Sequence, residues 1–293
     1  MAKKPSTIAI TGANGFVGSA LVSYFAAQGW SVVALVRKPE SQPARKGVRY
    51  AAYNLLEPLD AAVFQGVDVV VHAAYVKQDK TNPNAFQANV SGAEKLLQAS
   101  RQAGVAKTIF ISSMSSHEAA QSSYGKQKFT IEKLFTAPGD LSIRPGLVVG
   151  NGGIVQAMVQ FMKSKHLAPL LGGGHQPLQP VSPTKIGEAI ASAVQRGVSG
   201  VVTVASVEVY SYKQFYKALA DASHTRVLFV PLPLWALLAA AGVVEFLHLP
   251  LGVNRDNVMG LKKLIAVDTA ADLARLNLAP ETLDDILADV PLS

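Results

Sequence analysis

The chain has 293 residues, of which 49% are hydrophobic and 16% are charged, a composition that supports a globular core and excludes global disorder. Twenty-seven Lys and Arg against 20 Asp and Glu give a formal net charge of +7, but these cations form no dense run, so nucleic-acid binding is not expected. The absence of cysteine excludes disulfide scaffolds and thiolate metal sites, and the histidines lack metal-binding spacing, so no metal site is expected.

The first half of the chain alternates short apolar runs with helical patterns. The N-terminus passes into the first run without the apolar segment of a secretory signal, so a cytoplasmic location is expected. Buried strands that alternate with helices form a parallel sheet covered on both faces, and right-handed crossovers make it doubly wound. The pattern predicts an α/β Rossmann fold with strands at 7–11, 31–36, 48–52, 67–72, 108–112 and 141–144 and helices at 16–28, 83–103 and 122–135.

Glycine and proline become more frequent after residue 150, which indicates a second structural unit. A strand is predicted at 200–205 and helices at 184–196, 211–222, 269–276 and 280–288. We expect a smaller, mostly helical C-terminal lobe that selects the substrate. The predicted division is a Rossmann domain of residues 1–150, to which 177–205 returns, and a lobe of residues 151–176 and 206–293.

An apolar stretch from Val227 to Val244 contains no charged residue. Pro231 and Pro233 interrupt it and Glu245 closes it, which leaves a helix too short for the ~30 Å of a bilayer core. The sequence to residue 251 therefore predicts a buried or surface-lying helix of the folded lobe rather than a transmembrane span. Peripheral contact with a membrane stays open.

Three glycines connect the first predicted strand to the first predicted helix. Gly12 permits a tight turn, Gly15 allows a pyrophosphate to approach the backbone, and Gly18 allows the helix to pack closely on the strand. The helix N-terminus offers free N–H groups to phosphates. A glycine triplet alone also fits an ordinary turn, but its place between strand and helix favours a dinucleotide site.

The end of the second predicted strand indicates which cofactor binds. Val36 stands where an acidic residue would contact a ribose 2′-hydroxyl, and Arg37 and Lys38 follow it. These cations could bind a 2′-phosphate, so NADP(H) is the preferred cofactor and NAD(H) the alternative; both could instead be solvated surface charges. Asn54 could bind the adenine amino group or simply form a turn.

A serine, a tyrosine and a lysine form the candidate catalytic set. Ser113 follows the fifth predicted strand, at the sheet edge where ligands gather. Tyr124 and Lys128 lie one turn apart on the next helix, where the ammonium is expected to lower the phenol pKa. Tyr124 would exchange a proton while a nicotinamide exchanges the hydride, and Ser113, with Ser115 as its alternative, would orient the substrate.

Two histidines invite attention as bases, and neither is assigned that role. His72 is interpreted as a strand-end residue that lines the cofactor groove. His117 is interpreted as a loop residue rather than a catalyst. No protein-built metal site follows from either.

Taken in order over residues 6–222, these motifs resemble the short-chain dehydrogenase/reductase superfamily in its extended or atypical branch, the NAD-dependent epimerase/dehydratase-like family. The motifs are Thr11–Gly18, Asp68–Ala74, Asn89, Ser112–Ser113, Tyr124 with Lys128, and Arg144–Gly150. The resemblance implies the catalytic set Ser113, Tyr124 and Lys128. It implies cofactor contacts from Gly12, Asn14, Gly15, Phe16, Val17, Gly18, Arg37, Lys38, Asn54, Leu55, Ala73, Ala74, Tyr75, Asn89, Ser112, Tyr124, Lys128, Pro145, Leu147 and Val148.

The sequence departs from this family at three places. Asn54 replaces the usual Asp, the loop between Ser113 and Tyr124 is short, and residues 179–183 replace a segment that usually carries two Asp. The short loop leaves little wall for a nucleotide sugar. The C-terminal residues 253–258 and 276–286 are similar to bacterial relatives of the nucleotide-binding accessory subunit of respiratory complex I, some of which bind NADPH without known turnover.

Three functions follow from these residues and the resemblance. The first is an NADP(H)-dependent oxidoreductase that acts on a small carbonyl or alcohol. The second is a non-catalytic NADPH-binding protein that supports a partner complex. The third is an NAD-dependent sugar epimerase or dehydratase. Monomer and homodimer both remain open.

Overall fold

The computed structural model describes residues 7–77, 82–233, 265–288 and 290. Its centre is a seven-stranded parallel sheet in the order β11-β6-β5-β4-β1-β2-β3. The doubly wound fold expected from the alternating pattern is therefore confirmed. The strands of this sheet are Thr7–Thr11 (β1), Ser31–Val36 (β2), Val48–Ala52 (β3), Val69–His72 (β4), Lys107–Ile111 (β5), Leu141–Pro145 (β6) and Gly200–Val204 (β11).

Helices cover both faces of the sheet because alternate strand residues point to opposite sides. Ile8 and Ile10 of β1 pack with Phe25 of helix α1, whereas Ala9 packs on the opposite face with Leu96 of helix α2. Helix α1 also packs against α5, and α2 packs against α3. These four helices are Phe16–Ala27 (α1), Ala85–Gln102 (α2), Ser123–Glu132 (α3) and Pro183–Arg196 (α5).

A second core lies on the C-terminal side of the sheet. Val155, Met162, Phe215, Leu219 and Ile286 are among its buried members. It is enclosed by the helices Gly153–Lys165 (α4), Tyr212–Ala222 (α6) and Leu283–Ala288 (α8). Three two-stranded sheets complete this side: Leu147–Val148 (β7) pairs with Pro180–Val181 (β10), Leu167–Leu171 (β8) with Leu228–Leu232 (β13), and Pro177–Leu178 (β9) with Tyr210–Ser211 (β12).

The chain crosses between the two cores more than once. Strand β11 belongs to the main sheet, and helix α5 packs on one face of that sheet. The last part of the chain divides, since Leu273 and Leu276 at the helix Ala270–Arg275 (α7) pack in the first core, whereas Leu283 packs in the second. The predicted two-part division of residues 1–150 with 177–205 and the remaining lobe stays a prediction.

The apolar stretch departs from its predicted helix at its start. Residues Leu228–Leu232 form the strand β13, parallel to β8, with Leu228 two-thirds exposed. The rest of the stretch, up to residue 251, falls within residues 234–264, which lie outside the described residues, as do residues 253–258. In the part of the chain that the structure describes, no helix has the length and apolarity needed to cross a membrane.

Candidate active site

The glycine loop closes tightly over the end of strand β1. Gly12 has a φ of +64°, and a Cβ there would lie 2.8 Å from the Cα of Ala74. At Gly18 a Cβ would lie 2.1 Å from the Gly12 carbonyl oxygen. Gly15 is the N-cap of α1 and no side chain caps its N–H groups, so the helix end is open to an anion. This cradle fits a dinucleotide pyrophosphate.

The outer half of the groove forms a pocket of about 870 Å³ beyond the ends of β2 and β3. Arg37 lies in its wall, whereas Lys38 is exposed beside the wall and its carbonyl accepts a hydrogen bond from the Ser41 hydroxyl, 2.9 Å away. The Asn54 side-chain amide donates to Glu57 Oε1 at 2.7 Å. The predicted residues that line this half are Gly12, Asn14, Gly15, Phe16, Arg37, Asn54, Leu55, Ala73, Ala74 and Tyr75.

The inner half of the groove, about 620 Å³, contains the predicted catalytic set. Ser122 caps α3 by accepting a hydrogen bond from the Gly125 N–H, 3.1 Å away. Tyr124 is therefore in the first turn, with 37% of its surface exposed. Lys128 lies one turn further on and donates from Nζ to the Ile111 carbonyl oxygen at 2.8 Å. The structure thus brings Ser113, Tyr124 and Lys128 together in one wall.

Burial sets the electrostatics of this set. It raises the pKa of Tyr124, and the hydrogen bond from Ser113 acts in the opposite direction. It also lowers the pKa of Lys128 to about 7, because a buried ammonium loses its hydration. The Lys128 Nζ lies 5.8 Å from the Tyr124 ring centroid. In the chain alone the pKa of Tyr124 is thus raised, and the lowering expected beside both Lys128 and an oxidised nicotinamide stays a prediction.

His72 does not line the groove, contrary to the sequence interpretation. It is 1% exposed, and its ring stacks on Phe110 and Phe135 with centroids 5.9 and 6.5 Å away. Its Nδ1 lies 2.9 Å from the Thr11 hydroxyl, which also accepts from the Ala73 N–H at 3.2 Å. The imidazole thus supports the backbone beneath the cofactor groove.

We expect His72 to make the fold acid-sensitive. Burial lowers its pKa from 6.5 to about 3, so between these values the unfolded chain binds a proton that the folded chain does not. The free energy of unfolding then falls as the pH decreases through this window. Urea unfolding at pH 5 and pH 8 should show a smaller pH difference for His72→Gln than for the parent. The exposed His175 provides the control His175→Gln, and an equal effect of both variants would contradict the assignment.

Asn89 lies behind the groove wall. Its side chain is 1% exposed, accepts from the Val76 N–H and donates to the Val76 carbonyl oxygen, both at 2.8 Å. The Asn89 side-chain amide also donates a hydrogen bond to Gln127 Oε1 at 3.1 Å. Asn89 therefore fixes the loop after β4, which carries Ala73, Ala74 and Tyr75 into the groove.

A buried carboxylate lies beneath the serine loop and was missed by the sequence reasoning. Glu132 accepts hydrogen bonds from the hydroxyls of Ser112 and Ser116 at 2.8 and 3.1 Å and from Arg144 Nε at 2.9 Å. Arg144 also pairs with the second carboxylate oxygen. The hydroxyl of Ser112 is thus directed at Glu132, and the network holds the segment around Ser113. Only the position of Glu132, one turn beyond Lys128 on α3, could have suggested this role.

The C-terminal side completes the inner groove. Pro145, Leu147 and Val148 lie in its wall with Val17 and Gly18, as the nicotinamide assignment requires. The other wall includes Ile265 and Val267. Gln179, which is 3% exposed, holds this segment through its side chain. Its Nε2 donates to the Val267 carbonyl oxygen and its Oε1 accepts from the Val267 N–H, both at 2.9 Å. Gln179 lies in the segment that departs from the family pattern.

Comparison with known proteins gives a family match over the first half of the chain. Residues 8–142 match the model of the NAD dependent epimerase/dehydratase family, which confirms the recognition made from the motifs. A ceramide reductase of Caulobacter vibrioides is 27% identical over 250 residues, which cover 81% of this chain and 77% of that protein. The family and its curated relatives comprise NAD(P)-dependent oxidoreductases, epimerases and dehydratases.

Two further likenesses cover nearly the whole chain. The mitochondrial NADH dehydrogenase (ubiquinone) 1 alpha subcomplex subunit 9 of Arabidopsis thaliana is 24% identical, over 94% of this chain and 74% of that protein. A solved UDP-glucose 4-epimerase from Thermotoga maritima is 18% identical, with a TM-score of 0.75 over 96% of both chains. This structural likeness establishes the shared fold.

Proposed function

We propose that this chain, which carries a domain of the NAD dependent epimerase/dehydratase family, is an NADP(H)-dependent reductase of a small carbonyl compound. The observation that carries the proposal is the juxtaposition of Ser113, Tyr124 and Lys128 in one wall of a groove that also contains the glycine cradle. A reduced nicotinamide bound there supplies a hydride. The Tyr124 hydroxyl supplies a proton, and the Ser113 hydroxyl orients the carbonyl oxygen.

The protonation state of Tyr124 suits the role of acid that reduction of a carbonyl requires. Because burial raises the pKa of Tyr124, its phenol keeps its proton near neutral pH and can act as the acid. The carbonyl C=O π bond then breaks as its carbon accepts the hydride with two electrons and its oxygen accepts the phenolic proton. The product is an alcohol, and the Tyr124 phenolate recovers its proton from solvent.

Two other functions make different predictions. The likeness to the plant complex I subunit favours a non-catalytic NADPH-binding protein that supports a partner complex. The family model also accommodates a sugar epimerase or dehydratase.

Incubation of the protein with NADPH and a panel of ketones, aldehydes and quinones separates the three functions, since only the reductase oxidises NADPH. Stoichiometric NADPH binding with a silent panel would favour the binding protein, and conversion of UDP-glucose with NAD would favour the epimerase.

Arg37 is expected to select NADP(H). It lies in the wall of the outer pocket, and neither Val36 nor Asn54 supplies a carboxylate for a ribose 2′-hydroxyl. A charge-assisted hydrogen bond to a 2′-phosphate contributes ~1.5–3 kcal/mol, so Arg37→Ala should weaken NADPH roughly 10- to 100-fold and leave NADH nearly unchanged. Calorimetric titration measures both affinities.

The control for this prediction is an exposed cation outside the groove. Lys46→Ala removes the same charge from the surface and should change the NADPH affinity less than twofold. Equal affinities of the parent for NADPH and NADH, or equal effects of the two substitutions, would contradict the selection by Arg37.

A further inference from the structure

We propose that the C-terminal half of the inner groove binds a hydrocarbon arm, so that the substrate is an uncharged, apolar ketone or aldehyde rather than a nucleoside diphosphate sugar. This inference rests on the proposed function, because it places the carbonyl at Tyr124 and Ser113. It concerns the part of the groove that lies beyond the reacting atoms.

The first argument is the chemistry of the wall. Five apolar or aromatic side chains from four segments line the groove outside the nicotinamide wall: Ile154, Leu178, Tyr212, Ile265 and Val267. Ile265 is 63% exposed and Ile154 is 47% exposed. Exposed apolar side chains that converge on one concave surface indicate a ligand or partner, whereas scattered ones need no explanation. Their continuity with Tyr124 indicates the ligand that reacts there.

The second argument concerns charge. Of the described residues in this wall, the Lys and Arg members are Lys128 and Arg144. The Lys128 ammonium donates to the Ile111 carbonyl oxygen, and the Arg144 guanidinium is paired with Glu132. Both groups are thus held at the base of the groove by partners of their own. A diphosphate placed here would lose its hydration against apolar side chains, which is costly.

The third argument is that the apolar wall is held in place. The Gln179 side chain donates from Nε2 to the Val267 carbonyl oxygen and accepts at Oε1 from the Val267 N–H, and its Nε2 also donates to the Ser206 carbonyl oxygen at 2.9 Å. Ile265 lies two residues before this attachment. A hydrocarbon arm would therefore meet a preorganised surface and would replace its water.

The test is a series of 2-alkanones from four to ten carbons, with NADPH as the reductant. Each added methylene that enters the apolar wall should raise kcat/KM about three- to fourfold until the wall is filled, because burial of one CH₂ contributes ~0.8 kcal/mol. In the Tyr124→Phe protein saturated with NADPH, where turnover is suppressed, calorimetry should show the same dependence of ketone affinity on chain length.

Two matched substitutions locate the arm. Ile265→Ser removes an exposed apolar side chain from the wall and should lower kcat/KM for 2-decanone roughly tenfold, the value expected for one buried aliphatic side chain, with less than a twofold effect on 2-butanone. Leu228→Ser removes a side chain that is 67% exposed on β13, outside the groove, and should leave both values within twofold. Circular dichroism should show both variants folded.

The two measurements separate this inference from the proposed function. Affinity that rises with chain length without any turnover would support the apolar site and overturn the reductase. Turnover that is independent of chain length, or unaffected by Ile265→Ser, would overturn the apolar site and leave the reductase standing. Tighter binding of UDP-glucose than of 2-decanone would also overturn the apolar site.

Discussion

Tyr124→Phe should reduce the turnover of an accepted ketone by ~10²-fold or more, the usual effect of removing a general acid. The substitution keeps the ring, which contacts Tyr75 edge to face with centroids 5.5 Å apart, and deletes only the hydroxyl that Ser113 contacts. Packing and NADPH affinity should therefore change little. Steady-state rates at saturating NADPH, together with calorimetric NADPH titration, measure the two effects separately.

A second tyrosine provides the control for this experiment. Tyr50 lies in β3, outside both halves of the groove, so Tyr50→Phe removes the same hydroxyl without touching the site and should retain near-parent turnover. Ser113→Ala should lie between the two, because it leaves the acid in place and removes its orienting partner. Near-parent turnover in Tyr124→Phe would show that another group donates the proton.

The sequence predicted the main sheet well because local pattern and tertiary position agree there. The run from Ser31 to Val36 is a strand over the whole predicted range, buried from Val32 onward.

In the C-terminal part of the chain, the local sequence pattern and the observed structure disagree. Strands β8 and β13 contain Pro169 and Pro231, and proline normally argues against a strand. Among the described residues this sheet consists of these two strands, so each strand has one edge without a partner there, and proline is tolerated at such an edge. Helix α4 begins at the second glycine of the pair Gly152–Gly153, a pair that by itself indicates a loop.

The residues of the candidate site also fall into those that the sequence could predict and those that it could not. Motifs that act through the backbone, such as the glycine cradle, depend on local geometry and were predictable. His72 was placed on the wrong side because the end of a strand does not reveal which neighbours its side chain meets. Gln179 contacts Val267, 88 residues further along the chain, and Glu132 on helix α3 contacts Arg144 on strand β6. Such partners are defined only once the sheet has assembled, so no local pattern identifies them.

The pair formed by Glu132 and Arg144 combines stability with positioning. The Glu132 side chain is 7% exposed and that of Arg144 is 26% exposed. The carboxylate satisfies two serine hydroxyls as well as the guanidinium, so its hydrogen-bonding capacity is well used. Removal of one partner from a buried pair leaves the other charge uncompensated, which is far more costly than the loss of an exposed pair.

Glu132→Gln should therefore lower the free energy of unfolding by about 3 kcal/mol, the low end of the range for a broken buried pair, because Arg144 keeps some contact with water. Urea unfolding followed by circular dichroism measures the loss. The pair of Lys185 and Glu188, in which the Glu188 side chain is 38% exposed, supplies the control Glu188→Gln, which should cost less than about 1 kcal/mol. The double variant Glu132→Gln with Arg144→Met removes both charges and should recover part of the stability.

Equal losses of stability in Glu132→Gln and Glu188→Gln would show that Glu132 is not a buried charge partner. Loss of turnover in the double variant despite recovered stability would show that the network also positions Ser113.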